Sequence, residues 1–247
     1  MLERRFSKKM DTAAEVTVLD VKIKEAGYEA GHSRIRDVSL TVKAGQLVGL
    51  IGPNGAGKST TIKTILNLLT HAIATVQFSG PNQKYAYIPE RPVFYETLTL
   101  WEHLELAAAS SGMTGEHFKT KAELLLAKFR MTEVRDDLPV SFSKGMQQKM
   151  MLMIGFLIEP DIYIVDEPFI GLDPRATKDF LTLLDDERKR GAGVLMSTHV
   201  LDTAEKICDT FVLLSEGKVV AEGNLDQIRQ ASGLEDASLF DCFDALT

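Results

Sequence analysis

The apolar positions in the first third of the chain fall in short runs bounded by polar and turn-forming residues, a pattern typical of β-strands. The predicted strands cover residues 16–24, 39–42, 46–51, 75–78 and 85–88. The third of them is an unbroken apolar run that enters a glycine-rich turn, and a helix is predicted after this turn, over residues 58–69. Pro89 and Pro92 then interrupt regular structure and mark a boundary.

Beyond this boundary the apolar positions recur every three to four residues, the spacing of helices with one buried face. The helices predicted in this stretch cover residues 100–109, 116–129 and 144–157. No strand is predicted between them, so the segment has the pattern of a helical subdomain inserted into another fold.

Strands return after residue 158 and alternate with helices. The predicted strands cover residues 162–165, 193–197 and 210–214, and the helices between them cover residues 174–190 and 200–207. This alternation predicts a mostly parallel sheet, closed by a hairpin at Glu216 and Gly217. Beyond Asn224 we expect one short helix and then an acidic tail without a motif.

The pattern predicts three units. Residues 1–98 and 159–223 form an α/β core with an antiparallel β subdomain at its N-terminal end, and residues 99–158 form the helical subdomain. Residues 224–247 form a C-terminal helix and tail.

Composition and charge restrict the class of protein. A chain of 247 residues, 45% of them hydrophobic, has enough apolar material for one large domain or for a core with an insert. A net charge of −7 argues against broad electrostatic binding of nucleic acid, so no nucleic-acid partner is expected. Cys208 and Cys242 lack the spacing of a zinc site or of a disulfide framework, and a reducing compartment fits them.

Targeting segments are also not expected. The longest apolar run, residues 150–158, is shorter than the roughly 20 residues that a membrane-spanning helix needs. The N-terminal residues 1–10 are basic but lack the apolar segment of a secretory signal. We therefore expect a cytoplasmic protein.

A motif with specific chemistry lies between the third strand and the first helix, where the pattern G-x-x-x-x-G-K-[ST] occurs. Its residues are Gly52, Pro53, Asn54, Gly55, Ala56, Gly57, Lys58, Ser59 and Thr60. Glycines in such a loop let backbone N–H groups point at phosphate oxygens, and the helix N-terminus adds its positive dipole end. Lys58 is expected to neutralise the β and γ phosphates and Ser59 to bind Mg²⁺.

This loop predicts a P-loop NTPase with a RecA-like core, but it does not choose among kinases, GTPases, helicases and transporter motors. The alternative is a glycine-rich turn that occurs by chance. The succession of a strand, this loop and a helix disfavours that alternative. No Asn-Lys-x-Asp motif for guanine is present.

An acidic pair ends the strand predicted over residues 162–165. Asp166 is placed to hold Mg²⁺ through water, and Glu167 to polarise an attacking water as general base. The alternative is an acidic pair that caps a helix before Pro168.

The segment that separates these classes is residues 142–148, Phe-Ser-Lys-Gly-Met-Gln-Gln, at the start of an apolar helix. With the P-loop and the acidic pair, it resembles the ABC ATPase family, whose signature at this place is Leu-Ser-Gly-Gly-Gln. Ser143 and Gly145 match the signature. The resemblance implies that the Ser143 hydroxyl and the Gly145 N–H approach the γ-phosphate of a nucleotide.

The resemblance extends over about residues 16–223 and assigns further roles in chain order. Tyr28 matches the aromatic residue that stacks on adenine, and residues 171–173, Gly-Leu-Asp, match the loop that communicates across the dimer. His199 matches the histidine that contacts the γ-phosphate. As isolated residues, Tyr28 and His199 would be a packing aromatic and a structural histidine, and their order and spacing favour the functional interpretation.

Three positions depart from the family pattern. Glu90 stands where most members carry a glutamine, and it can still bind Mg²⁺, although a carboxylate adds negative charge and donates no hydrogen bond. Lys144 and Met146 replace a signature glycine and glutamine. For Lys144, a cation near the opposing nucleotide and a solvated lysine both stay open. With residues 98–104, these departures resemble the exporter branch of bacterial ABC ATPases, and within it the Ecs-type ATPases.

The methionines of the helix predicted over residues 144–157 invite a second interpretation. Met146, Met150, Met151 and Met153 lie close together on it. We predict core packing rather than a metal or ligand groove, because methionine fills irregular gaps.

The resemblance also implies partners. Two copies of the chain would enclose two ATP molecules with Mg²⁺, since the P-loop and the signature belong to different half-sites. A separate transmembrane permease subunit would dock near residues 90–99 and choose the substrate, which places the chain at the inner face of the membrane. The alternatives are a soluble ABC ATPase of translation or DNA maintenance, a small-molecule kinase or GTPase, and a nucleotide-binding regulator without turnover.

Overall fold

The computed structural model describes residues 16–247, and the basic segment of residues 1–10 lies outside the described residues. The strands of the described part are β1 (Thr17–Gly27), β2 (Ile35–Lys43), β3 (Leu47–Ile51), β4 (His71–Phe78), β5 (Tyr85–Ile88), β6 (Ile162–Asp166), β7 (Gly193–Thr198), β8 (Thr210–Ser215) and β9 (Lys218–Gly223). Its helices are α1 (Lys58–Ile65), α2 (Leu100–Ser111), α3 (Gly115–Phe129), α4 (Lys144–Leu157), α5 (Pro174–Arg190), α6 (Leu201–Ile207), α7 (Leu225–Ser232) and α8 (Leu239–Leu246).

Two sheets organise these elements. One sheet has the order β5-β6-β7-β3-β8-β9, with parallel pairing from β5 to β8 and antiparallel pairing of β9. The other is antiparallel, with β1 between β2 and β4. The predicted α/β fold, with a mostly parallel core, an antiparallel β part and a helical insert, is confirmed.

The central strands of the large sheet are buried along their whole length. Every residue of β3, β6 and β7 is buried. Helices that cover both faces of a parallel sheet bury its strands on both sides, and these strands are accordingly apolar until the polar carboxyl ends of β6 and β7. Phe156 of α4 and Phe180 of α5 pack together, with ring centroids 6.0 Å apart, and Phe156 also contacts Tyr163 of β6. These contacts join the helical insert to the sheet.

The methionine-rich face of α4 packs into this same core. Met150, Met151 and Met153 are buried in the apolar cluster, and Met146 packs against it. The prediction of core packing is confirmed.

Several predicted boundaries are wrong, two because long-range pairing decides them and one because of a local backbone conformation. Strand β2 begins at Ile35 and β4 at His71, earlier than predicted, since β1 pairs Ala26 with Ile35 and Gly27 with His71. Helix α1 ends at Ile65 rather than at residue 69. It ends there because Asn67 adopts a left-handed conformation, with φ of 55°.

The C-terminal tail also differs from the prediction of one helix and a motif-free tail. A second helix, α8, follows α7 and begins with a capping box between Ser238 and Asp241. Leu239 and Cys242 are fully buried, and the Leu239 N–H donates to Glu205 of α6 at 2.7 Å. The helix therefore depends on α6 and α7, which sequence periodicity does not reveal.

None of the helices in residues 16–247 is both long enough and apolar enough to span a bilayer.

Candidate functional site

The glycine-rich loop connects the carboxyl end of β3 to the N-terminus of α1, as predicted. Gly57 caps α1 in a left-handed conformation with φ of 112°, and a Cβ added there would lie 2.4 Å from Ile35 Cγ2. A Cβ added at Gly52 would lie 2.4 Å from the carbonyl oxygen of Leu214. Only glycine fits at these two positions, because one has a positive φ and both have no room for a side chain.

Lys58 lies at the centre of the curled loop. Its Nζ atom donates to the carbonyl oxygens of Gly52 at 2.6 Å and Pro53 at 3.2 Å. The same atom lies 3.5 Å from Glu167 Oε1. The Lys58 side chain is only 6% exposed, so its ammonium charge has a fixed position within the loop.

The acidic pair is positioned by the pairing of β6 with β7. Asp166 faces Ser197 in the parallel register, and the Ser197 hydroxyl donates to Asp166 Oδ1. The Glu167 N–H donates to the Ser197 carbonyl oxygen at 3.1 Å. Glu167 has a φ of 47°, a conformation that non-glycine residues seldom adopt, so the chain turns sharply at the end of the strand.

Charge accumulates around this pair. Burial raises the pKa of the Asp166 carboxyl, the Ser197 hydrogen bond opposes that rise, and the charges of Glu90 and Glu167 add to it. Burial, with the charges of Asp166 and Glu90, also raises the pKa of Tyr87 to about 12. The three carboxylates therefore repel one another in a partly buried position, which favours a cation at this place.

His199 follows β7 and contacts the second residue of the pair. Its Nδ1 atom lies 2.9 Å from Glu167 Oε1, so one carboxylate oxygen faces both His199 and Lys58. The turn after β7 is held by the Val200 N–H, which donates to Thr198 Oγ1 at 3.1 Å.

These groups surround a cleft of about 410 Å³. The cleft is lined by Tyr28, Arg34, Pro53, Asn54, Gly55, Gly57, Lys58, Ser59, Thr60, Glu90, Glu167, Ile170 and His199. Most of the predicted site residues thus share one cavity. Gly52 and Ala56 are buried beside it, and Asp166 is buried behind Glu167.

Tyr28 lines the cleft, and the residue is 49% exposed. Lys63 of α1 lies over this ring, with Nζ 5.1 Å from the centroid. The contact holds an aromatic face near the loop, in an arrangement that suits stacking of a base.

Arg34 and Ile170 were not predicted from the sequence. Neither belongs to a motif, and only the fold brings them to the cleft. Ser197, which contacts both residues of the acidic pair, was also missed. Ser197 is a polar residue near the carboxyl end of a buried strand, and this position in the sequence pattern is a signal that could have identified it.

Ser143 and Gly145 do not line this cleft. Ser143 caps α4, with its hydroxyl oxygen accepting the Met146 N–H at 3.3 Å. A Cβ added at Gly145 would lie 2.7 Å from the Gly171 carbonyl oxygen, and Lys149 Nζ lies 3.0 Å from Asp173 Oδ2. Helix α4, which begins within the signature segment of residues 142–148, is thus in contact with residues 171–173 of the same chain.

Gln148 of α4 lies against the segment that contains Glu90. It is 1% exposed, and its Nε2 atom lies 3.5 Å from the Pro89 carbonyl oxygen. Its Oε1 atom is buried and has no hydrogen-bond partner among the described residues. Lys144, on the same helix, is exposed, and both interpretations of it stay open.

Protein side chains alone do not form a complete metal site here. Within residues 16–247, no group of three or more His, Cys, Asp and Glu side chains is arranged to hold a metal ion. A cation at the acidic pair would therefore need further oxygen ligands.

Comparison with known proteins gives consistent matches. The profile of the ABC transporter family matches residues 35–170. The ABC transporter ATP-binding protein YthP of Bacillus subtilis is 50% identical over 226 residues, which cover 92% of this chain and 95% of YthP. EcsA, an ABC-type transporter ATP-binding protein of the same organism, is 44% identical over 94% of this chain and 97% of its own length.

Solved structures agree with these matches. An ATP-binding subunit of an ABC transporter superimposes with a TM-score of 0.87 at 44% identity, covering 93% of this chain and 99% of that one. CbiO1 of Clostridium perfringens, with a TM-score of 0.70 and 20% identity over 88% of this chain and 95% of its own, shares the fold.

Proposed function

This chain belongs to the ABC transporter family, and from that premise we propose that the cleft binds ATP with Mg²⁺ and that two copies enclose the nucleotides. The chain is the ATP-binding subunit of a transporter, an ATPase whose hydrolysis is coupled to transport. We further propose that it drives export through a separate membrane permease.

Three side chains from separate elements converge in the cleft, and this convergence is the observation on which the proposal rests. Lys58 from α1 and His199 after β7 lie 3.5 Å and 2.9 Å from the same oxygen of Glu167. A carboxylate so placed accepts a proton from an attacking water, a lysine neutralises phosphate charge, and a histidine orients the reacting groups. ATP hydrolysis needs these three contributions together.

The ligand positions follow from the chemistry of the lining. Backbone N–H groups of residues 52–60 and the N-terminus of α1 suit the phosphates. The exposed ring of Tyr28 suits the adenine base. Lys58 already donates to loop carbonyl oxygens, and these short bonds would give way to phosphate contacts.

The residues present fit a magnesium ion that is held partly by the nucleotide. Ser59, Asp166 and Glu90 offer hard oxygen donors, the kind that Mg²⁺ prefers. Burial is the main cause of the raised pKa of Asp166, and the repulsion from Glu90 and Glu167 that adds to it would be relieved by a cation. When bound, the ion would neutralise charge on the transferred phosphoryl group. Phosphate oxygens and water would complete its ligands.

A second copy of the chain would supply the signature residues. Ser143 and Gly145 lie outside the cleft formed by Lys58, Glu167 and His199. Among residues 16–247 the Ser143 hydroxyl accepts from its own helix and donates to no protein group, so its proton is available to a ligand from outside. A homodimer in which each cleft meets the partner's α4 N-terminus would complete both sites.

The proposed permease contact lies at residues 90–99, where the chain enters the helical insert. Val93 and Tyr95 in this segment are 75% and 61% exposed, and Val140 of the insert is 54% exposed. Such exposed apolar side chains suit a protein partner. We propose that residues 99–158 move as one unit against the core of residues 1–98 and 159–223, and that residues 224–247 form a C-terminal helical unit packed on that core. The permease would hold the chain at the inner face of the membrane.

The test measures Mg²⁺-dependent ATP hydrolysis by the wild type over a series of protein concentrations. Light scattering then measures whether a Glu167→Gln variant dimerises when ATP is added. The control is Glu216→Gln, since Glu216 is exposed and has the same φ of 47°. We expect cooperative activity from the wild type and from the control, and a stable ATP-bound dimer of Glu167→Gln. A wild type that binds ATP but neither dimerises nor hydrolyses it, even with a permease, would refute the proposal.

A further inference from the structure

Arg34 lies in the cleft although no motif includes it. Its backbone is fixed between two elements. The Arg34 N–H donates to the Ala26 carbonyl oxygen at 2.7 Å, and the next residues continue as β2. On the other side, its carbonyl oxygen packs against Gly217, where an added Cβ would lie only 2.1 Å away. The start of the Arg34 side chain is therefore held beside the loop.

The guanidinium group itself is free to bind a ligand. Within residues 16–247 it makes no hydrogen bond and no ion pair, and the residue is exposed. By contrast, Arg188 and Arg190 pair with Asp209 and Glu187. A guanidinium presents five N–H donors in a rigid fork that matches phosphate oxygens.

The net charge of the cleft lining is the reason why the Arg34 guanidinium matters for binding a phosphate ligand. Besides Arg34, the lining has the lysine Lys58 and the carboxylates Glu90 and Glu167. Lys58 is already engaged by Glu167 and by two carbonyl oxygens. Without Arg34 the charged side chains of the lining would be negative in sum, which opposes a triphosphate. With Arg34 they balance.

We propose that Arg34 is a nucleotide-binding residue of this chain, whose guanidinium contacts the phosphates of ATP beside Lys58. The inference rests on the proposed function, because it requires that ATP occupies this cleft. It adds a phosphate ligand from the segment before β2 to those of the P-loop.

The experiment is calorimetric titration of the full chain with ATP and with ADP, at low and at high salt. The variants are Arg34→Ala and Arg34→Lys, and the matched control is Arg36→Ala. Arg36 is two residues away, is also exposed and lines a different cleft. Circular dichroism and the melting temperature without nucleotide check that each variant folds as the wild type does.

We expect Arg34→Ala to weaken binding of ATP and ADP by about tenfold, the effect of one charge-assisted hydrogen bond at a solvated site. Arg34→Lys should recover part of the loss, and Arg36→Ala should bind as the wild type. The difference between wild type and Arg34→Ala should shrink at high salt, because screening weakens exposed charge pairs.

Three results would overturn the inference. If Arg34→Ala binds ATP and ADP within twofold of the wild type and of Arg36→Ala, the guanidinium does not contact the nucleotide. If the loss is present but independent of salt, Arg34 acts on the base and not on the phosphates. If the wild type itself binds no ATP, the proposed function fails first and this inference fails with it.

Discussion

The Nδ1 atom of His199 lies 2.9 Å from Oε1 of Glu167, and the two residues follow the ends of adjacent parallel strands, β7 and β6. Within residues 16–247 this contact engages one ring nitrogen and leaves Nε2 without a protein partner. A histidine in this arrangement is oriented by the carboxylate and can present its other nitrogen to a ligand. Replacing His199 is therefore the most direct test of the proposed hydrolysis chemistry.

We expect His199→Ala to lower kcat for ATP by about 10²-fold, because a positioned acid–base or polar group typically contributes that much. The affinity for ATP should change only a few-fold, since the loop and Lys58 stay in place. Steady-state hydrolysis and equilibrium binding separate the two effects. His117→Ala is the control, because the His117 side chain is 66% exposed on α3. An unchanged kcat together with weaker ATP binding would show that His199 acts in binding alone.

The contact between Gly145 and Gly171 gives a second prediction. In Gly145→Ala the new methyl group would lie 2.7 Å from the Gly171 carbonyl oxygen, so the loop of residues 171–173 must shift. We expect ATP-dependent dimerisation and hydrolysis to fall at least tenfold. ATP binding by the monomer should stay within twofold, because Gly145 does not line the cleft.

Light scattering with ATP and calorimetric binding measure these two properties. Lys119→Ala is the control, since the Lys119 side chain is 59% exposed on α3, and it should fold, bind ATP and dimerise as the wild type does. If Gly145→Ala dimerises normally, the close contact between α4 and residues 171–173 has no role in assembly.

The buried amide of Gln148 gives a third prediction, about stability. Its Oε1 atom has no partner among the described residues, and a buried oxygen in that state costs free energy. Replacing Gln148 by methionine keeps the length of the side chain and removes the unsatisfied oxygen, at the loss only of the long 3.5 Å contact between Nε2 and the Pro89 carbonyl oxygen. We expect the free energy of unfolding to rise by about 1 kcal/mol.

Gln147→Met is the control for this change. Gln147 Nε2 donates to the Pro139 carbonyl oxygen at 2.9 Å, so its replacement should lower the free energy of unfolding by about 1 kcal/mol. Urea unfolding of both variants tests the difference in sign. If both replacements destabilise the chain equally, the Gln148 oxygen has a partner in solution, such as a bound water.

Asp166→Asn gives a fourth prediction, which depends on pH. The pKa of Asp166 is raised in the folded state above its ordinary value of 3.8, so its charge opposes folding at neutral pH. Asparagine keeps an oxygen that accepts the Ser197 hydroxyl and removes the charge. We expect the melting temperature at pH 7 to rise by about 2–4 °C, the shift that about 1 kcal/mol produces in a chain of this size.

The gain should shrink as the pH falls through the raised pKa of Asp166, because the wild-type carboxyl then becomes neutral as well. Thermal unfolding at pH 7 and at lower pH measures it. Asp185→Asn is the control of opposite sign, since Lys189 holds the pKa of that exposed carboxyl below its usual range. It should not raise the melting temperature. A gain of Asp166→Asn that is independent of pH would contradict a charge effect.

The sequence by itself determined the kinds of element, the mostly parallel sheet and the family. Apolar periodicity distinguished the buried strands β3, β6 and β7 from helices such as α4, because each kind of element buries residues at its own spacing. The P-loop could be recognised from the sequence because the residues on which its function depends are neighbours within one turn of the chain. The roles assigned to individual site residues stay predictions.

The tertiary structure alone decided what depends on distant parts of the chain. Strand β4 extends to His71 because β1 pairs with it, and α8 forms because α6 and α7 bury its apolar side. Arg34 enters the cleft because Ala26 and Gly217 hold its backbone there. Hydrogen-bond pairing and packing between distant segments carry no local periodicity, so they become visible only when the chain is folded.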